Sequence, residues 1–289
     1  MNILVTGSSG YIASNFIRRI NESSSHMVIG LTRRSTGYEH ANYQEVITDL
    51  SQDDFTDYIP DNVSVDIVCQ FVQSSRYREF PEGAKDMFEV NINSTFQLLE
   101  WSRKNKVKKF IHSSTGNVYS PSNETIKEEY ECNPNSFYGA SKICAETIVS
   151  QYTSIFDVKI LRIFGVYGPN QKNMIIPNII SRVKEGKEVT LANGLGLVYT
   201  PLYIKDCLNM LEIILEDTTS NNVYNFAGIE EVSLKDVVNE ISACLKIEPN
   251  FIETKGKETC LKGDINLFIE THNYIPSTTI KEGIRIILE

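Results

Sequence analysis

Histidine and tryptophan are scarce in this chain: 289 residues hold four histidines and one tryptophan. His26, His40, His112 and His272 show no metal-ligand spacing, so no metal centre is expected. Cysteine is present but unpaired in pattern. Cys69, Cys132, Cys144, Cys207, Cys244 and Cys260 are scattered without a C-x-x-C pair, which reads as reduced thiols and excludes a disulfide framework. Positive charge is short as well, 28 Lys and Arg against 37 Asp and Glu, for a formal charge of −9. Phosphate-backbone binding needs a basic surface, so no nucleic-acid partner is expected. A phosphorylated small ligand stays open, because a local pocket of amides and arginines suffices for it. No apolar run reaches bilayer length, and Met1 leads straight into Asn2-Ile-Leu-Val-Thr6, leaving no room for a signal segment. The expectation is a cytoplasmic protein without a membrane partner. Internal repeats and low-complexity stretches are also missing.

What is there is ordinary in bulk, with 41% hydrophobic and 22% charged residues, and the length suits one α/β unit with a smaller lobe. Short β-branched runs at 2–6, 27–31, 43–48, 65–71, 109–113 and 158–163 alternate with helical stretches at 11–21, 51–58, 85–104 and 137–156. That alternation predicts an α/β fold, a parallel sheet covered on both faces. After about Gly165 the pattern loosens. Helices are expected at 175–184, 204–215 and 234–245, and strands at 189–192, 223–227 and 250–253. The boundary is placed at 165, with some later segments returning to the first domain.

The run Thr6-Gly-Ser-Ser-Gly10-Tyr-Ile-Ala13 follows the first strand and opens the first helix. Gly7 and Gly10 allow a tight turn and close approach of a pyrophosphate. The helix start, with Ser9, Tyr11 and Ile12, offers free N–H groups and a positive dipole end. Residues 1–165 therefore read as a Rossmann-type, doubly wound dinucleotide-binding domain. The second strand ends in Thr32-Arg33-Arg34 where an acid would accept from the adenosine ribose. Arginine there suits a 2′-phosphate, so NADP is favoured, with NAD possible. Asp49 and Leu50 are placed near the adenine, and Phe71 and Gln73 against the cofactor.

Tyr138-Gly-Ala-Ser-Lys142 carries the chemistry. Positions i and i+4 share a helix face, so phenol and ammonium point into one space. A lysine cation there favours tyrosinate and lowers a phenol pKa otherwise near 10. The pair suggests proton transfer coupled to hydride chemistry on an alcohol or ketone.

With the turn, Ser113-Ser114-Thr115 and Tyr138/Lys142 in this order, the chain resembles extended short-chain dehydrogenases/reductases. More narrowly, it resembles the NAD-dependent epimerase/dehydratase family that modifies nucleotide sugars. Asn91-Ile-Asn-Ser-Thr95, Leu161-Arg-Ile-Phe-Gly-Val-Tyr-Gly-Pro169, Tyr203-Ile-Lys-Asp206 and Pro276 extend the likeness over nearly the whole chain. The resemblance implies that Tyr138 transfers the proton, Lys142 assists it and holds the nicotinamide ribose, and Thr115 bonds the reacting oxygen. It also implies cofactor contacts from Asn91 and Ser113, a substrate-binding lobe in 166–289, and a homodimer through the helices near 85–104 and 137–156.

The departures bear on the substrate side. Gly116 and Asn117 stand where dehydratases of the family carry an acidic pair, which argues against 4,6-dehydration. Gly165 stands for a usual Asn, and Tyr199 for an Arg that grips the diphosphate. Arg76, Arg78, Lys172 and Arg182 are the cations available to compensate. Gln70-Phe-Val-Gln73 replaces the usual His-Leu-Ala-Ala. Gly116, Asn117, Gly165 and Tyr199 are the substrate-side candidates. The function expected first is an NADPH-dependent reductase of a 4-keto nucleotide sugar. The alternative is a nucleotide-sugar 4-epimerase that retains NAD(P). A non-enzymatic cofactor-binding regulator is a third reading, against which the intact Thr115/Tyr138/Lys142 set counts.

Overall fold

A computed structural model describes residues 1–256 and 259–289. The chain divides into two compact units. The first comprises residues 1–120, 131–162 and 211–224; the second comprises 121–130, 163–210 and 225–289.

The first unit is built on a seven-stranded Rossmann-type parallel sheet. Its strands are β1 (Asn2–Thr6), β2 (Met27–Thr32), β3 (Tyr43–Ile47), β4 (Ile67–Gln70), β5 (Lys109–Thr115) and β6 (Asp157–Ile163), with Val223–Phe226 completing it. The order is Val223–Phe226, β6, β5, β4, β1, β2, β3. β1, β4 and β5 are buried along nearly their whole length, as a parallel sheet covered on both faces requires. Helices of this unit include α1 (Tyr11–Ser23), α2 (Ala84–Phe88), α3 (Ser94–Lys104) and α4 (Phe137–Ser150). Leu4, Ile29, Val68, Leu98, Phe110, Val149 and Ile160 belong to one apolar core, none more than 1% exposed.

The chain order reverses at β1, which lies between β2 and β4. Thr6 pairs with Leu31 on one side and Gln70 on the other. The loops leaving these strands therefore open a crevice at the carboxyl end of the sheet, the place where such folds bind ligands.

Three expected elements differ. The helix expected over 51–58 is reduced to one 3-10 turn, Phe55–Tyr58. Upstream of it the Asp49 carboxylate accepts from Ser51 N–H and Oγ at 3.0 and 2.9 Å, a local turn that competes with helix formation. The helix expected over 85–104 is interrupted by a π-helical turn, Glu89–Asn93. There Ser94 and Thr95 hydroxyls donate to the carbonyls of Val90 and Asn91 at 2.6 and 2.8 Å. The helix expected over 137–156 ends at Ser150 and passes into i,i+3 turns, while the Tyr152 hydroxyl anchors on Glu100 at 2.7 Å.

In the second unit, short strands pair locally. Leu202–Tyr203 lies parallel to Val166–Tyr167, Phe251–Thr254 lies parallel to Val189–Ala192, and Leu197–Tyr199 lies between Val232–Ser233 and Thr259–Leu261. Helices Ile175–Lys184 and Leu234–Leu245 match their expected spans. Ser233 closes the second with a capping box to Asp236. Among the described residues, no helix is long and apolar enough to cross a membrane.

Candidate active site

The glycine turn follows from its backbone. Gly7 has φ +67°, and a Cβ there would sit 2.9 Å from the Val72 Cα. Only glycine fits that close approach without strain. Gly10 N–H donates to the Gly7 carbonyl at 2.7 Å and caps α1 without a side-chain bond, so the first amides of the helix keep no side-chain acceptor from the cap. Ser8 locks the turn from behind, donating from N and Oγ to the Leu31 carbonyl at 3.1 and 3.2 Å.

A pocket opens at this turn. Gly7, Ser9 and Gly10 form one wall, Leu31, Thr32 and Arg33 a second, and Asp49 with Leu50 a third. Phe71, Val72, Gln73, Ser74, Ser75 and Val90 complete it. The glycine turn and the helix start lie on one wall, where backbone amides could receive the phosphates of a dinucleotide. Phe71 is braced by an edge-on contact with Phe16 of α1, ring centroids 5.6 Å apart. Seven residues expected on the cofactor are not among the pocket-lining ones: Tyr138 and Lys142, on α4, and five others. Tyr11 and Ile12 form the first turn of α1, and Arg34 folds back beside Thr32, whose Oγ1 donates to the Arg34 carbonyl at 3.0 Å. Ser113 is buried within β5. Asn91 is a buried strut: its Oδ1 accepts from Ser74 N–H and its Nδ2 donates to Ser141 Oγ, both at 2.9 Å. Leu31, Val72, Ser74, Ser75 and Val90 line the pocket without having been expected there. Position after β2 and β4 was the available signal for the first four, and Val90 had none.

Tyr138 and Lys142 lie on α4, which the Ser136 hydroxyl caps by accepting from Gly139 N–H at 3.1 Å. Gly139 is forced: a Cβ there would collide with the Asn117 carbonyl oxygen. That close approach brings α4 against the turn after β5, and with it Tyr138 to Thr115. The Thr115 Oγ1 accepts from Asn117 N–H at 3.2 Å and from Asn117 Nδ2 at 3.1 Å. The Thr115 hydroxyl acts on the Tyr138 phenol by lowering its pKa. Asn117 thus orients Thr115, and neither it nor Gly116 offers a carboxyl group.

Electrostatics correct one expectation. Burial pushes the Tyr138 phenol up to about 12, with the Thr115 hydrogen bond pulling the other way and Tyr77 adding to the rise. The protein's own groups therefore do not depress it. Burial instead lowers Lys142 to about 8, opposed by the Glu146 carboxylate. Lys142 is 2% exposed, and a buried ammonium without full compensation gives up its proton more readily. His112 of β5 is also held well below its usual value, by burial and then by the Lys142 charge. Its Nδ1 meets Gln70 Oε1 at 2.7 Å, while Gln70 Nε2 is committed to Thr95 Oγ1 at 2.7 Å. Gln70 must accept, so His112 carries its proton on Nδ1.

The second unit holds the remaining candidates. Gly165 has φ +141°, and a Cβ there would lie 3.8 Å from the Tyr199 ring. Tyr199 is 4% exposed and its hydroxyl has no hydrogen-bond partner among the described residues. The two departures are thus neighbours, with the ring packed beside the glycine. Three of the proposed compensating cations are engaged locally. Arg76 pairs with Glu79 at 2.7 Å, Arg78 stacks on Tyr77 at 4.9 Å, and Arg182 Nε donates to the Glu188 carbonyl at 3.0 Å.

Residues 3–227 match the model of the NAD dependent epimerase/dehydratase family. A trifunctional UDP-glucose 4,6-dehydratase/3,5-epimerase/reductase of Arabidopsis thaliana is 27% identical over 267 residues, 86% of this chain but 40% of the plant protein. The chain thus spans less than half the length of that relative. A Bacillus subtilis protein described as an uncharacterized UDP-glucose epimerase is 26% identical over 98% of this chain and 96% of its own. Among solved structures, the UDP-glucuronic acid 4-epimerase of Bacillus cereus, in complex with UDP-glucuronic acid and NAD, superposes with TM-score 0.87 at 24% identity, covering 99% of this chain and 98% of that one. The dTDP-glucose 4,6-dehydratase of Bacillus anthracis, in complex with NAD, gives TM-score 0.86 at 24% identity over 100% and 95%. A glycine turn at a Rossmann switch point, Thr115 and Lys142 with Tyr138, and a family match over most of the chain converge: this protein belongs to the NAD dependent epimerase/dehydratase family.

Proposed function

We propose that this enzyme interconverts the configuration at C4 of a nucleotide-activated sugar, retaining its nicotinamide dinucleotide between turnovers. The observation that carries the chemistry is Tyr138 on α4, one helical turn from Lys142 and with the helix packed at Gly139 against the turn that follows Thr115. A bound nicotinamide dinucleotide supplies the hydride acceptor and donor. Gly7, Gly10, Thr32, Arg33, Asp49 and Phe71 are the residues that would hold it. Tyr138 takes the proton of the C4 hydroxyl in one half-reaction and returns it to the C4 oxygen in the other. Thr115 bonds that oxygen, and the Lys142 cation favours the tyrosinate that takes the proton in the first half-reaction and is regenerated by the second. The near end-to-end likeness to the Bacillus subtilis protein supports epimerisation better than the net reduction expected first from the sequence. The absence of acidic side chains at Gly116 and Asn117 argues against 4,6-dehydration.

One observation favours a second reading, an NADPH-dependent 4-keto reductase. Thr32 and Arg33 line the pocket where an acid would select NAD, which suits a 2′-phosphate and the usual cofactor of net reduction. Incubation with a panel of UDP- and dTDP-sugars, followed by NMR, separates the readings. Interconversion of C4 epimers without net NADPH consumption supports the epimerase. Stoichiometric loss of NADPH absorbance with 4-keto sugars supports the reductase. Full turnover by a Tyr138→Phe protein would sink both.

A further inference from the structure

Gln73 follows β4 (Ile67–Gln70), and its side chain does something a small apolar residue there could not. The Tyr138 hydroxyl donates to Gln73 Oε1 at 2.9 Å, across 65 residues of sequence. Gln73 also lines the glycine-turn pocket, so one side chain touches both the pocket and the proton-transfer group.

Its position is built by its neighbours. Val72 N–H donates to Thr6 Oγ1 at 3.3 Å, and the Val72 Cα packs under Gly7. On the other side, Ser74 N–H is held by Asn91 Oδ1 at 2.9 Å and its hydroxyl by Asp86. With residues 72 and 74 pinned by backbone and side-chain bonds, Gln73 is presented to Tyr138 from a fixed base. Thr115 Oγ1 accepts from Asn117 N–H and Nδ2. The phenol proton points at Gln73. The other titratable groups around it are Tyr77, ring centroids 5.2 Å apart, and Lys142 on the same helix.

We propose that Gln73 is a positioning residue of the catalytic centre: its amide oxygen holds the protonated form of Tyr138 in place until the 4-keto oxygen, the acceptor in both readings, takes the proton. An amide oxygen stabilises the O–H form and repels a phenolate, so it opposes loss of the proton to any acceptor but the keto oxygen. The inference rests on Tyr138 as the proton-transfer residue, which the epimerase and reductase readings share.

The test needs no sugar, so its outcome is independent of which substrate reading stands. The Tyr138 phenolate is followed by ultraviolet difference absorbance after rapid pH jumps, before unfolding. Each protein is compared with its own Tyr138→Phe counterpart, which isolates one tyrosine. Gln73→Met keeps the length and removes the acceptor; Gln73→Glu keeps an acceptor and adds charge. The expected midpoint falls by about one pH unit, tenfold in the equilibrium, in Gln73→Met, and rises in Gln73→Glu. A packing role alone would leave the Gln73→Met midpoint at the parent value. That result, or a rise in Gln73→Met, would overturn the proposal.

Discussion

Arg162 grips Glu146 with Nε and Nη2 together, at 3.1 and 2.7 Å from the same carboxylate oxygen, deep in the first unit. Ser114 donates to the carboxylate as well, and Arg162 Nη1 reaches the Tyr119 hydroxyl at 2.9 Å. The cluster ties the strand that ends at Thr115 to the helix that carries Lys142. Both charges are nearly fully buried, 8% and 4% exposed at the side chain. Removing one partner strands the other without water, so Glu146→Leu is expected to cost about 3–5 kcal/mol. Replacing both, Glu146→Leu with Arg162→Met, should cost less than Glu146→Leu alone. Urea unfolding monitored by circular dichroism measures both.

Lys142 gives a pH prediction with a definite sign. Its folded pKa of about 8 lies below the ordinary lysine value of 10.5, because burial disfavours the cation. Below about pH 8 the folded state bears the full penalty of holding that charge. As pH rises from about 8 to 10.5, the folded chain releases a proton that the unfolded chain still holds, and stability rises. The unfolding free energy of the parent minus that of Lys142→Met should therefore increase by on the order of 2–3 kcal/mol across this window. The subtraction removes the tyrosines and cysteines that titrate nearby. A difference that falls with pH would contradict the assignment.

Gly7→Ala tests the turn. The φ of +67° strains any L-residue, and the new methyl meets the Val72 backbone at 2.9 Å. A loss of about 1–3 kcal/mol in stability is expected from the backbone alone. The thermal shift given by NAD or NADP should shrink further than that loss explains, since the displaced wall belongs to the pocket.

Cofactor choice is tested at the end of β2. Arg33→Ala should weaken NADP by about tenfold or more, the worth of a charge-assisted phosphate contact, while changing NAD little. Thr32→Asp should act in the same direction by repelling a 2′-phosphate. Thermal shifts with each dinucleotide read the difference. Equal responses to NAD and NADP in the parent would remove the argument from Thr32 and Arg33.

Much of the first unit was legible because it is written in local patterns. β1 begins and ends where the apolar run does, and Tyr11 and Phe137 open helices where periodicity places them. Elements failed where a side chain captured the backbone. Asp49 closed a turn on Ser51, and Ser94 and Thr95 opened the helix around Asn91. In the second unit, pairs such as Leu202–Tyr203 with Val166–Tyr167 are too short to carry a period, so they went unread.

By itself the sequence determined the glycine turn after β1, the shared helix face of Tyr138 and Lys142, and the β–α alternation that makes a parallel sheet. Each depends on spacing within a few residues. Only the tertiary structure decided that Gln73 meets Tyr138, that Asn117 orients Thr115 while α4 closes over it at Gly139, and that Glu146 pairs with Arg162 behind Lys142. It also reversed the expected direction of the Tyr138 shift, because burial is a property of the packed unit that no local spacing contains.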